Sequence, residues 1–408
     1  MPPLRILHVT PYYEDAWAYG GIPRVAAATV RALARRGHHV TVCTTDVRDA
    51  SSRLPRPAAV GHRRGPWEAV SDEIRTWVFP NLSNTLAYHF QFFTPLGFAA
   101  WLRRNAGAFD VAHLHACHHL PGVQAARRLR AAGVPYVLGP NGTAPRLERR
   151  RAAKAVFDAT VGRHVLPDAA RVLATSAAEG EQLRELGVDD DRIRLVPNPV
   201  DLNEFDPPVP RGRFRARHGL GERPIALFLG KLTPRKRLDV LVSAFALLAH
   251  PGARLVIAGN DMGGGRTARR LVARLGLDQS TLFTGLLQGR ERLEALADAD
   301  VVVYPGRDEI FGLVAVEAVL CGTPVIVADD SGCGEIVARV GGGLVVPQGD
   351  AAAIARAMRE VLEEPHTRRG DLADAGDRIR AWLDAGVVAT TLEDVYREVI
   401  ATRRATWS

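Results

Sequence analysis

Short runs of aliphatic and β-branched residues alternate along this chain with longer stretches whose apolar positions recur every three or four residues. That is the pattern of buried strands separated by helices. Residues 4–9 form a strand-length apolar run and 10–21 a loop closed by Gly20-Gly21. The spacing then predicts a helix over 22–36, ended by Gly37 as a left-handed cap. Strands are predicted next at 39–45, 111–115, 136–138, 171–175 and 193–196, with helical segments such as 122–132 and 177–186 among them. The proline- and charge-rich stretch 197–224 breaks the rhythm and reads as a connection between domains. A second series follows, with strands at 225–229, 254–258, 282–284, 301–304 and 324–328 and helices at 238–248, 267–275, 290–297 and 312–320. The expectation is an α/β protein of two facing, doubly wound parallel-sheet domains, 1–200 and 201–382. The tail, 383–408, is helical in spacing and is expected to pack back on the first domain. Such sheets bind ligands outside the carboxyl ends of their strands, so two of them imply a cleft.

Composition narrows the function classes. With 47% hydrophobic and 24% charged residues, the 408-residue chain is neither a disordered nor a low-complexity protein. Cys43, Cys117, Cys321 and Cys333 are scattered, and no Cys-x-x-Cys pair exists, so a disulfide scaffold, a thioredoxin-type site and a structural zinc site have no support. The N-terminal apolar run is too short for a signal peptide, and no stretch approaches the roughly 20 apolar residues of a membrane span. A cytoplasmic protein is expected. The net charge of +8 arises in the first 171 residues, the remainder being mildly acidic, which suggests domains that meet different partners.

Only Lys154, Lys231 and Lys236 among the 53 basic residues are lysines. Two of them lie in Gly230-Lys231-Leu232-Thr233-Pro234-Arg235-Lys236-Arg237, directly after a predicted strand, where a compact ammonium suits a phosphate cluster. The alternative is a solvated basic turn. A second block, Tyr304-Pro305-Gly306-Arg307-Asp308-Glu309-Ile310-Phe311-Gly312-Leu313-Val314-Ala315-Val316-Glu317-Ala318, runs from a strand through an acidic loop into a helix start. Backbone amides there can hold phosphate. Glu309 and Glu317 should lie on the order of 10 Å apart, a separation suited to gripping two parts of an extended ligand. Carboxylates accept paired hydrogen bonds from vicinal sugar hydroxyls.

Together these blocks resemble the family 4 glycosyltransferases of GT-B fold. Further likeness lies in Gly20-Gly21-Ile22-Pro23-Arg24, Asp110-Val111-Ala112-His113-Leu114-His115, Thr175-Ser176-Ala177 and Val196-Pro197-Asn198-Pro199-Val200-Asp201. Ala258-Gly259-Asn260, the segment from Cys321 to Ala328 and that from Asp330 to Glu335 complete it. The resemblance implies a retaining hexosyl transfer from a UDP- or GDP-linked sugar to a hydroxyl acceptor such as a glycolipid or growing glycan, with no prosthetic group and no metal. It implies that Lys231 and Lys236 neutralise the diphosphate, that Glu309 contacts the transferred sugar and Glu317 the ribose, and that Phe311, Gly312 and Leu313 offer backbone amides. Gly20 and Gly21 would approach the phosphate, and His115 would lie near the reacting sugar. His115, Glu309 and Lys236 are thus the catalytic candidates; Arg24, His115 and Asn141 are the acceptor candidates. Three positions depart from the family: Lys231 replaces a common arginine, Pro199 a glycine and Gly306 a serine.

Asp298-Ala299-Asp300 and Asp189-Asp190-Asp191 could suggest metal but read as solvated or capping loops. His118-His119 lacks further ligands. Residues 86–101 hold Tyr88, Phe90, Phe92, Phe93, Phe98 and Trp101, followed by Arg103 and Arg104, and Arg146, Arg149, Arg150, Arg151 and Lys154 form a second basic cluster. These fit either an anionic membrane surface, placing the protein peripherally at its cytosolic side, or an aromatic core. The rival functions are a sugar-nucleotide epimerase of the same fold, and a non-enzymatic basic protein binding membrane or nucleic acid. A nucleic-acid partner is not expected for the transferase.

Overall fold

A parallel strand covered by helices on both faces must be apolar on both, and this chain supplies such strands twice. The computed structural model describes residues 2–56, 65–145, 151–363 and 369–407. It divides into one unit of Met1–Val200 with Ala385–Ser408 and a second of Asp201–Asp384.

The first unit carries β1 (Arg5–Val9), β2 (His39–Thr45), β3 (Trp67–Ser71), β4 (Ile74–Phe79), β5 (Val111–His115), β6 (Tyr136–Gly139), β7 (Arg171–Ala174) and β8 (Ile193–Leu195). They form one sheet in the order β3-β4-β2-β1-β5-β6-β7-β8. Every pair is parallel except β3 with β4. That antiparallel edge corrects the all-parallel expectation: Ser71 pairs with Ile74 across Asp72 and Glu73, both at positive φ, which is the backbone of a two-residue hairpin.

The helix Ile22–Arg35 has Pro23 in its first turn and ends before Gly37, which sits at φ 85. The helix Ala385–Trp407 returns to this unit, as the tail's spacing suggested. Its Val388, Leu392, Val395, Tyr396 and Val399 form one helical stripe buried with Ile6, Val30, Leu33 and Val40. Each such buried side chain contributes about 1.5–3 kcal/mol.

Glu393 of the same helix adds an ionic lock. Its carboxylate takes both arms of the Arg36 guanidinium at 2.8 Å and His38 Nε2 at 2.5 Å, while His38 Nδ1 accepts the Leu4 amide. Arg36 first, then His38, hold Glu393 down to a pKa of about 2. A depressed carboxylate contributes stability that is fully present above its ordinary pKa near 4.5 and is lost as pH falls through about 2. Discounted for the half-exposed Arg36, that is roughly 1–3 kcal/mol. Glu393→Gln should therefore melt below wild type at pH 7, with the gap closing near pH 2 in thermal unfolding. A gap unchanged by pH would contradict the ionic origin.

The second unit carries β9 (Ile225–Leu229), β10 (Arg254–Ala258), β11 (Thr281–Gly285), β12 (Val301–Tyr304), β13 (Val325–Ala328) and β14 (Gly343–Val346), in the order β11-β10-β9-β12-β13-β14. All pairs are parallel. The stretch expected as mere connection contains a helix, Arg213–His218, that belongs to this unit. Asp298 accepts its Gly212 and Arg215 amides, and Asp300 takes the Arg215 guanidinium at 2.7 Å and the Ile225 amide at 2.8 Å. Asp298 thus caps this helix, and Asp300 ties it to the start of β9.

Candidate functional site

Strand order reverses beside β9 in the second sheet and beside β1 in the first, and a ligand crevice of such a sheet opens at the carboxyl ends of the strands there. In the second unit those ends release the two blocks singled out in the sequence. The loop leaving β9 packs backbone against backbone on the one leaving β10: Leu232 donates to the Asn260 carbonyl at 2.9 Å, and Gly264 donates to that of Leu232 at 2.7 Å. Gly259 is obligatory for this approach, since a Cβ there would lie 1.8 Å from the Gly230 carbonyl oxygen at φ 150.

Lys236, at the end of a short 3₁₀ turn, is 6% exposed. Its ammonium donates to Glu309 Oε2 and to the Tyr304 hydroxyl, and lies 4.4 Å from the Tyr304 ring centre. Burial opposes its charge, but Glu309 and Tyr304 together outweigh it and raise the pKa. Glu309 mirrors this: burial pushes its pKa up, while Lys236, Arg235 and Lys231 bring it below the ordinary value. The pair is held charged, and two of the three ammonium hydrogens go to Glu309 and Tyr304. The Glu309 amide donates to Ser331 Oγ at 3.0 Å, and its carbonyl accepts the Cys333 amide at 2.9 Å, fixing the loop on the helix Gly332–Val340. Gly306 faces the Lys236 stem, where a Cβ would find ordinary contact at 3.5 Å, so a serine would also fit.

Lys231 is half-buried, Phe311 is buried, and the helix opens at Leu313 rather than Gly312, which is its left-handed N-cap at φ 73. Glu317 does not join the Lys236 cluster. It is 3% exposed and ion-paired at 3.2 Å with Arg292, which also pairs with Glu204. Arg292 was missed in the sequence, because a lone arginine in a helical segment carries no signal of its own.

In the first unit, β1 and β5 deliver three histidines to one face of the sheet. His8 pairs with His113 in register. His8 Nδ1 lies 2.9 Å from His115 Nε2, the His113 and His115 rings stack at 4.1 Å, and His113 Nδ1 meets the Tyr396 hydroxyl at 2.7 Å. These three are the one group among the described residues with metal-ligand spacing. His8 Nδ1 and His115 Nε2 face each other at hydrogen-bond distance, while His8 Nε2 and His115 Nδ1 are buried without a partner. Burial lowers the pKa of all three, that of His115 to about 3. Asn141, at φ 51, donates to the Gly139 carbonyl at 3.1 Å and shares a pocket of about 20 Å³ with His115, Thr175 and Asn198. The structure thus joins His115 to Asn141.

Glu179 was missed, although Ser176-x-x-Glu179 is a readable capping pattern. Buried, it accepts the Thr175 amide at 2.8 Å and the Gly142 amide at 2.6 Å, and so ties the Asn141 turn to the end of β7. Gly20 sits at φ 93, in the region that favours glycine, and Gly21 at φ −77. Arg24 is half-buried with its guanidinium 5.7 Å from the Trp17 ring.

The aromatic segment divides. Phe93 and Phe98 are core residues, while Phe90 is 57% and Phe92 49% exposed. Arg146, Arg149 and Arg150 lie outside the described residues. His119 caps the helix Leu120–Ala131 by accepting the Gly122 amide, and His118 pairs with Asp158 at 3.0 Å. No helix among the described residues is long and apolar enough to cross a membrane.

Residues 210–378 match the family described as glycosyl transferases group 1, and residues 20–199 match the glycosyl transferase 4-like domain. The chain is 32% identical to the D-inositol 3-phosphate glycosyltransferase of Acidothermus cellulolyticus, over 94% of this chain and 87% of that protein. It is 32% identical to the protein of that name from Xylanimonas cellulosilytica, over 95% and 93%. Among solved structures, sucrose-phosphate synthase from Thermosynechococcus elongatus shares the fold at a TM-score of 0.75 and 24% identity, covering 97% of this chain and 99% of that one. Anabaena HepE in complex with UDP and glucose does so at 0.74 and 18%, covering 97% and 100%. Epimerase and non-enzymatic readings fall away on this basis. The chain belongs to the group 1, family 4 glycosyltransferases, enzymes of GT-B fold that transfer a hexosyl unit from a nucleotide sugar with retention of configuration.

Proposed function

We propose that the donor is a UDP-sugar, bound without metal, and that the acceptor is a hydroxyl of a small phosphorylated cyclitol or sugar. The observation that carries the donor half is the buried Lys236, kept charged by Glu309, with its third N–H left for a ligand and Lys231 adding to the field. Two ammonium groups supply at the diphosphate the charge that a metal ion would otherwise supply. Glu309 reads the hydroxyls of the transferred sugar, and the Phe311, Gly312 and Leu313 amides lie along the donor. Glu317, oriented by Arg292, serves the ribose. The sugar's C1–O bond to the diphosphate breaks as the acceptor oxygen bonds C1 on the same face. The acceptor's proton passes to the departing phosphate oxygen, so no protein base is required. His115, Asn141 and Arg24 belong to the acceptor side, while Gly20 and Gly21 let the loop after β1 approach the donor phosphate.

The relatives named for D-inositol 3-phosphate support the acceptor class, and the UDP held by HepE supports the base. A lipid-linked acceptor is the second reading, favoured by the exposed Leu82, Leu86, Phe90, Phe92 and Leu96 within fifteen residues. Calorimetric titration with UDP, GDP and ADP in excess chelator should give saturable binding of UDP alone. Product should then form with D-inositol 3-phosphate, and the protein should stay in the supernatant with anionic phospholipid vesicles. Binding of none of the three nucleotides would remove the donor assignment, and sedimentation with vesicles would transfer the acceptor to a lipid.

A further inference from the structure

We infer that His8 is a positioning residue that fixes His115 in its Nδ1–H tautomer, so that His115 meets the acceptor side as a neutral hydrogen-bond donor and not as a base. The inference rests on the acceptor-side role proposed for His115, and adds to it the residue that sets its chemistry.

Burial lowers the pKa of both imidazoles, so the pair holds two ring protons. One lies between His8 Nδ1 and His115 Nε2, 2.9 Å apart. If it belongs to His115, the second proton sits on His8 Nε2; if it belongs to His8, the second sits on His115 Nδ1. Both outer nitrogens are buried without a protein partner, but their surroundings differ. His115 borders the pocket of about 20 Å³, room for one water or one ligand hydroxyl, and His8 does not. Asn141 lines the same pocket. Its amide nitrogen is committed to the Gly139 carbonyl, so the atom left over is Oδ1, a buried acceptor without a donor. An orphaned buried N–H is rarer and costlier than an orphaned lone pair. The proton therefore goes to His115 Nδ1, on the residue that borders a pocket with room for a water or ligand acceptor, and the bare lone pair stays on His8 Nε2. His113 completes the stack from its other side, with its Nδ1 held by Tyr396 of the returning helix. The nearest ionisable groups around the pair are thus His113, Tyr396 and His119, none of them a carboxylate.

Two-bond ¹H–¹⁵N correlation on the full-length, ¹⁵N-histidine-labelled protein should show His115 protonated at Nδ1 and bare at Nε2. His8→Leu should average that pattern between tautomers and lower kcat about tenfold, with the KM for nucleotide sugar within about twofold. His8→Asn, whose amide can still donate to Nε2, should restore both the pattern and most of kcat. A bare Nδ1 in the wild type, or a His8→Leu spectrum like that of wild type, overturns the inference. The expected spectra with a fully active His115→Ala would instead remove His115 from the reaction and leave the tautomer assignment standing.

Discussion

Lys236→Met should lower kcat/KM for the nucleotide sugar by about 10²–10³-fold, the loss typical of removing one preorganised donor aimed at developing charge. The same change should also destabilise the second unit. It strands Glu309 in a buried site with its strongest opposing charge gone, and breaking a buried ion pair from one side costs roughly 3–5 kcal/mol. A fall in activity alone could therefore reflect unfolding. The double variant Lys236→Met/Glu309→Gln separates the two causes, because removing both charges leaves no uncompensated ion. Its melting temperature should return towards wild type while its activity stays lost. Steady-state rates and calorimetric melting on the same preparations make the comparison. Activity of Lys236→Met within about threefold of wild type would mean that the ammonium serves the fold and not the diphosphate.

The cluster of proposed donor residues was legible in the sequence because its members are local. Lys231 and Lys236 lie within one loop, Glu309 follows one strand, and each loop leaves its strand at the sheet's switch point, so strand periodicity alone places them. The ends of β5, β9, β10 and β12 fell where their apolar runs stop, since a strand buried on both faces is a continuous run. The β3–β4 hairpin was not legible: Asp72-Glu73 is no glycine-bearing turn, and the flanking residues are only half-buried. Nor were the partners that act through side chains far apart in sequence. His8 reads as one polar residue in an apolar strand, and nothing local says that it faces His115 across 107 positions. Arg292 finds Glu317 and Glu204 only once the helix Arg290–Asp298 has docked. The candidate phosphate and sugar residues are written in loops, whereas the groups that orient them are written in packing.

Gly312→Ala is expected to damage both the fold and the activity of the donor loop. Gly312 sits at φ 73, and a Cβ there would lie 2.1 Å from Cys333 Sγ and 2.9 Å from Cys333 Cβ. Strain in the left-handed region and overpacking each cost about 1–3 kcal/mol, which together lower the melting temperature of a unit of this size by roughly 5–15 °C. Activity should fall with it. The Cys333 amide holds the Glu309 carbonyl, so a helix Gly332–Val340 pushed away by the new methyl carries Glu309 and its ion pair out of place. The clash names its own remedy. Cys333→Ala alone should destabilise slightly, by loss of a buried sulfur. In the Gly312→Ala background the same substitution removes the 2.1 Å contact and should raise the melting temperature, without restoring the cost of the left-handed backbone. That reversal of sign is the coupling of a double-mutant cycle between touching residues. Effects that simply add would mean that the loop and the helix are not packed against each other, and that something other than this contact keeps Glu309 beside Lys236.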